Sequence, residues 1–237
     1  MEQFTTVILP YILSGISVGG QYALIAIGYT MVYGILRLIN FAHGDVFMVA
    51  GLMMVYLSAA LPLYLAVPVV ALLTVALGFV IEKIAYKPLR SAPRMSVMIS
   101  AIGVSYLLQN LALYVTGGLN KTYPTIPWIS DQVDLFGATT KRVTLITPVL
   151  TIILVILLVQ LINHTKVGMA MRAVAKDFET SQLMGIKINN VISVTFIIGS
   201  FLAAVGSMLY FSNYPGVVPT SGAMPGLCLL YTSDAAD

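Results

Sequence analysis

Residues 46–81, VFMVAGLMMVYLSAALPLYLAVPVVALLTVALGFVI, run for 36 positions without an Asp, Glu, Lys or Arg. A helix needs roughly 20 mostly apolar residues to cross the hydrocarbon core of a bilayer. The stretch therefore holds two spans, at about 46–61 and 64–82, with Pro62 and Pro68 bracketing the turn between them. The same texture extends in both directions, because residues 3–36, 95–120, 143–165 and 188–233 are also free of charge. They predict further spans at about 8–33, 97–116, 144–163 and 190–211, six in all. The runs lack the two-residue alternation of a transmembrane strand. The expected fold is all-α, a polytopic transmembrane helical bundle.

Composition excludes the main alternatives. Charged residues make up 9% of the 237, where a soluble domain carries about 25%, and 59% of the chain is hydrophobic. A soluble enzyme, a nucleic-acid binder and a disordered chain are all ruled out. The net charge of +3 supplies no basic surface for nucleic acid. A single cysteine, Cys228, excludes an internal disulfide and a cysteine-based metal cluster. The first basic residue is Arg37, so the N-terminus lacks the basic region of a cleaved secretory signal.

Orientation follows from positive charge in the short loops. Residues 83–94 carry Lys83, Lys87, Arg90 and Arg94, and residues 164–187 carry Lys166, Arg172, Lys176 and Lys187. Both loops are expected in the cytoplasm. Residues 117–142, where Asp131 and Asp134 offset the bases, are expected outside. Counting back places Arg37–Asp45 inside and the N-terminus outside. Two rows of small residues, Gly15-Gly19-Ala23 and Gly199-Ala203-Ser207, have the spacing that lets helix backbones approach closely. Gly15, Gly19 and Gly20 also mark the first span as a candidate for a broken helix.

Two polar segments carry chemistry. In Lys166–Ile186 the apolar residues Val167, Met171, Val174 and Phe178 recur at helical spacing, with Gly185 placed to end the helix. Such a helix either lies on the bilayer surface or docks into a groove on a partner. The stretch Leu38–Asp45 sets Asn40, His43 and Asp45 within six residues of one another at a membrane boundary. Polar groups there either cap helix ends in an interfacial turn or line a substrate path. An acid/base pair of His43 and Asp45 has no nucleophile at the spacing of a known motif. The sequence also contains no Gly-Lys pair, and so no phosphate-cradling loop of the Gly-x-x-x-x-Gly-Lys-Ser/Thr type. Nucleotide hydrolysis, if it powers this chain, belongs to a separate subunit.

The stretch from Gly15 to Gly28, then Val32-Tyr-Gly-Ile and Ile39-Asn-Phe-Ala-His-Gly-Asp, resembles the N-terminal signature of bacterial branched-chain amino acid ABC transporter permeases. Gly103-Val-Ser-Tyr-Leu-Leu-Gln-Asn is similar to the family's next motif. Thr165 to Asp177, running on to Met184-Gly-Ile, resembles the cytoplasmic loop that contacts the ATPase subunits. The likeness covers about residues 8–222.

Several expectations rest on that resemblance. The chain is a permease subunit and no enzyme, forms half of the path for Leu, Ile, Val or other hydrophobic amino acids, and needs no cofactor. A short cytoplasmic coupling helix carries Gly168, Arg172, Ala173, Asp177 and Gly185. Relatives tend to have alanine where this chain has Ser181, a change of one small residue for another. Gly19, Gly20, Tyr22, Asn40 and His43 line the substrate path. The partners are a second permease subunit, two ATP-binding subunits, an extracytoplasmic substrate-binding protein and membrane lipid, and the location is the bacterial plasma (inner) membrane. Residues 1–226 form the permease domain. Residues 227–237, including Cys228, depart from the family pattern and are expected to be a foreign tail on a truncated chain, so the intact protein has more spans. A related permease for urea or short amides and an autonomous ion-coupled carrier are the alternative readings.

Overall fold

The structure, a computed structural model, describes residues 8–36, 39–90, 92–126, 130–135, 138–223 and 225–226. Arg37 and the expected tail at 227–237 lie outside these residues. Six helices among the described residues are long and apolar enough to cross a membrane. They are α1 (Leu9–Leu36), α2 (Ala42–Ala60), α3 (Leu63–Ile81), α4 (Arg94–Thr116), α5 (Arg142–His164) and α8 (Ile188–Asn213). Two short helices, α6 (Lys166–Lys176) and α7 (Phe178–Leu183), fill the loop between the last two spans. A π turn over Glu82–Tyr86 and a 3-10 turn over Lys87–Leu89 close α3. The strands are short: β1 (Lys121–Thr122) pairs antiparallel with β4 (Gly216–Val217), and β2 (Gln132–Leu135) with β3 (Ala138–Lys141).

Helix is forced on these segments because apolar surroundings offer no water to unpaired peptide groups. Threonines inside the spans obey the same constraint. Thr74, Thr147 and Thr195 each donate to the carbonyl four residues back, at 2.8, 2.7 and 2.8 Å. The first span is accordingly unbroken despite Gly15, Gly19 and Gly20. Continuous backbone bonding outweighs glycine's freedom where nothing else would satisfy the peptide groups.

Helix α8 forms the centre of the bundle and packs on α1, α2 and α3, while α5 packs on α1 and α4 on α2. Helices α2 and α8 bury most of their surface, and α4 and α5 the least. The small-residue row on α8 is buried as expected, through Gly199, Ala203 and Ser207. The row on α1 faces away from the bundle: Gly15 and Gly19 are exposed, and a Cβ on either would meet nothing within 4 Å. The α1–α8 contact runs instead through Gly28, whose added Cβ would stand 3.1 Å from the Gly199 carbonyl oxygen. Spacing alone could not tell the packed row from the outward one.

Helices α2 and α8 run parallel and in step. Ser207 Oγ donates to the Phe47 carbonyl at 2.8 Å, and one turn on, Gly51 lies against the Phe211 ring. That register sets the start of α2 opposite the middle of α8, so α2 begins inside the bundle and not at its end. The expected interfacial turn at His43–Asp45 is therefore the buried first turn of a helix.

Candidate functional site

The start of α2 is held by Asn40. Its Oδ1 accepts from the Ala42 backbone N–H at 3.1 Å and from the Tyr86 hydroxyl at 2.6 Å, while its own carbonyl accepts from His43 N at 3.2 Å. A helix start needs such partners for its unbonded N–H groups, and a buried one needs them most. The Tyr86 ring is in turn packed on Phe196 of α8, centroids 5.2 Å apart. Asn40 thus ties α2 to the π turn that ends α3.

One turn further on, Asp45 is almost fully buried. Both of its carboxylate oxygens accept from α4. Ser105 Oγ donates to Oδ2, and Gln109 Nε2 donates to Oδ1 at 3.0 Å and to Ser105 Oγ at 3.2 Å. Among the described residues no lysine or arginine pairs with Asp45; the ion pairs found are Arg90–Glu82 and Arg142–Asp131. Ser105 stands at the centre of α4, so this carboxylate lies half-way along the bundle.

Asn40, His43 and Asp45 line one cavity of about 390 Å³, a size typical of small-molecule sites. Ile102, Ser105, Tyr106 and Gln109 add one face of α4, at the i, i+3, i+4, i+7 spacing of a helix. The chain after β4 closes another wall by folding back over residues 218–223, setting Gly222 on Gly44. A Cβ on either glycine would overlap the other's carbonyl oxygen, so this approach is open only to glycine. His43 does not face Asp45, as expected for residues two apart on a helix. Its ring is hydrogen-bonded to the Ile25 backbone and tilted against Tyr29, and Nε2 has no partner among the described residues.

Of the five residues expected on a substrate path, the structure brings Asn40 and His43 to this cavity. Gly19 is exposed on α1. Gly20 packs on α5, with its carbonyl accepting from Thr151 Oγ1 at 3.3 Å, and Tyr22 packs edge-on against Tyr210. None of these three is among the cavity's lining residues. Sequence reading missed Ser105 and Gln109 as site residues. The signal for them was a glutamine in a charge-free run, inside a motif already picked out.

A second candidate surface lies on the loop at 164–187. Thr165 Oγ1 caps α6 by accepting from Gly168 N at 3.0 Å, and Gly168 sits against the Ile162 backbone with no room for a side chain. Met171 and Val174 are buried in the main core, so half of the predicted apolar face is satisfied within the chain, while Val167 and Phe178 remain exposed. Arg172 is exposed and reaches back to Asn163 at the end of α5, at 3.3 and 3.4 Å. Ala173 is partly exposed.

The single helix expected over this loop is two. Asp177 adopts an extended conformation, ends α6 and caps α7, its carboxylate accepting from the Thr180 N–H at 3.1 Å and the Thr180 hydroxyl at 2.5 Å. Those bonds hold its carboxyl below the usual carboxylate range. A carboxylate that caps a new helix competes with continuation of the old one. Ser181 is buried and donates to the Asp177 carbonyl at 2.6 Å. Gly185, at φ +81°, closes α7 with Gly185 N bonded to Gln182 O and Ile186 N to Ser181 O, the paired pattern that a left-handed residue permits. Leu183 and Met184 project beside it, 87% and 79% exposed. An apolar tip so exposed, on the basic side of the bundle, has the character of a contact surface.

Residues 11–232 match the family described as branched-chain amino acid transport system, permease component. The chain is 36% identical over 232 residues to the high-affinity branched-chain amino acid transport system permease protein BraD of Pseudomonas aeruginosa, covering 92% of this chain and 76% of BraD. It is 36% identical over 239 residues to the permease protein LivH of Salmonella typhimurium, covering 95% and 77%. The ribose import permease protein RbsC of Haemophilus influenzae is 26% identical over 204 residues, covering 84% and 60%.

Proposed function

Since the chain belongs to the family of branched-chain amino acid transport permease components, we propose that it forms half of a membrane path for leucine, isoleucine, valine or similar apolar amino acids. The observation that carries this reading is the cavity half-way along the bundle, where Asn40, His43, Asp45, Ser105 and Gln109 meet within a largely apolar lining. A polar site at that depth, reached by a helix that begins inside the bundle and a segment that folds back to it, suits a substrate that must be held between two faces of the membrane. The chain has no nucleotide-cradling motif, which leaves ATP hydrolysis to separate subunits; on the family's pattern a second permease subunit, two ATP-binding subunits and an extracytoplasmic binding protein complete the machine. The α7 tip, with Leu183, Met184 and Gly185, docks the ATP-binding subunit, and α6 transmits its motion to α8 through Met171 and Val174.

Reconstitution tests this directly. The assembled complex in proteoliposomes is expected to take up leucine only with ATP and binding protein. Uptake by this chain alone, driven by an ion gradient, would refute the assembly. The docking surface has its own test. Gly185→Trp is expected to abolish co-purification of the ATP-binding subunit, and unchanged association would remove α7 as the contact.

A further inference from the structure

Resting on the amino-acid reading above, we infer that Asp45, held by Ser105 and Gln109 in the cavity half-way along the bundle, is the receptor for the substrate's α-ammonium group. Asp45 accepts from two neutral donors on α4 and pairs with no described lysine or arginine. A buried carboxylate without a countercharge is costly in an apolar bundle, and a ligand cation supplies the missing charge. A carboxylate offers about four acceptor positions; the two donors leave room for an N–H from the ligand.

The surroundings select the kind of cation. Hard metal ions take a full shell of oxygen ligands, whereas here Gln109 presents its amide nitrogen, and no group of three His, Cys, Asp or Glu gathers among the described residues. Phe41, Ile102 and Tyr106 line the same space, which gives an apolar side chain somewhere to lie beside the charged head. His43 lines it too, on the other side of the first turn of α2, with a buried Nε2 that no described residue satisfies. A neutral molecule such as urea would leave the charge on Asp45 unmatched. A primary ammonium with an apolar tail matches both features.

The test compares leucine with its des-amino analogue, 4-methylpentanoate, in the complete reconstituted transporter. The wild-type assembly is expected to take up leucine at least tenfold faster than the analogue. Asp45→Asn, which keeps the shape and one acceptor oxygen but removes the charge, is expected to lower leucine uptake at least tenfold, with co-purification confirming that the variant assembles. Asp45→Glu is expected to recover part of the loss. If wild type carries leucine and Asp45→Asn does so within twofold, or if wild type takes the analogue equally well, the ammonium site is wrong and the permease reading stands. If wild type takes up no leucine under any condition, the amino-acid reading falls and takes the site with it. Should Asp45→Asn fail to assemble, Ser105→Cys in a Cys228→Ser background decides the matter. Leucine is expected to slow its modification by an ammonium-bearing thiol reagent at least fivefold and the analogue to leave it unchanged; equal rates with both overturn the proposal.

Discussion

Glu82 is completely buried, with one carboxylate oxygen paired to Arg90 and the other accepting from Ser193 Oγ of α8 at 2.8 Å. Arg90 also donates to Asn189 at the start of α8. Burial pushes the Arg90 guanidinium down from its ordinary range, against the opposing pull of Glu82. Removing one member of a buried pair leaves the other charge uncompensated, at about 3–5 kcal/mol. Arg90→Ala is therefore expected to lower the thermal stability of the detergent-solubilised protein far more than Lys87→Ala, an exposed neighbour; equal shifts would show that the pair is not buried as described. At Asn40 the expected cost is smaller. Asn40→Ala strips the acceptor from the Tyr86 hydroxyl and from the first N–H of α2, about 1–3 kcal/mol for a buried donor left unmade. Tyr86→Phe, which removes donor and demand together, is expected to cost less in the same melt. The sequence announced Asn40, His43 and Asp45 through their polarity at an apolar boundary, but Glu82 stood only as the last residue of the third expected span. Nothing local shows that a charge at the end of a span turns inward to an arginine eight residues on.

At the scale of elements, the loop at 164–187 teaches the most. Its amphipathic spacing was legible and half right. Met171 and Val174 are buried, but Asp177 divides the helix because its side chain serves the next one better than its backbone serves the last. The cap depends on ionisation. A carboxyl whose pKa is lowered by folding gives stability that is full above its unfolded value of about 3.9 and is lost as pH falls through the lower folded value. Amide exchange protection across α7 is thus expected to hold steady above about pH 4 and to decline below it, whereas in Asp177→Asn, which keeps an acceptor without the charge, protection no longer depends on pH there. A decline that persists in Asp177→Asn would assign the effect to another group. The same lesson holds for α1. Its glycine row was visible, but which side of the helix packs was decided by Gly28 meeting Gly199.

Over the whole molecule, the decisive relation is the register of α2 on α8, which lifts the first turn of α2 to the middle of the bundle. The return of residues 218–223 then walls the cavity at Gly44 and Gly222. Gly44→Leu is expected to expel that segment, seen as faster proteolysis or thiol labelling of a cysteine placed at Ala223, with the six spans still formed; unaltered accessibility would mean the segment does not rest there. By itself the sequence determined that the chain is a six-helix membrane bundle, where its spans fall and which loops carry charge. These follow from hydrophobic length and the obligation to satisfy backbone polar groups within each helix, both of which are local. Tertiary structure alone decided which glycines touch, that α2 starts inside the bundle, and that Asp45 meets Ser105 and Gln109, 60 and 64 residues away in the chain. Those are relations between helices, and in a bundle of uniformly apolar segments no local pattern encodes their rotation or height, because lipid satisfies one apolar face as well as another.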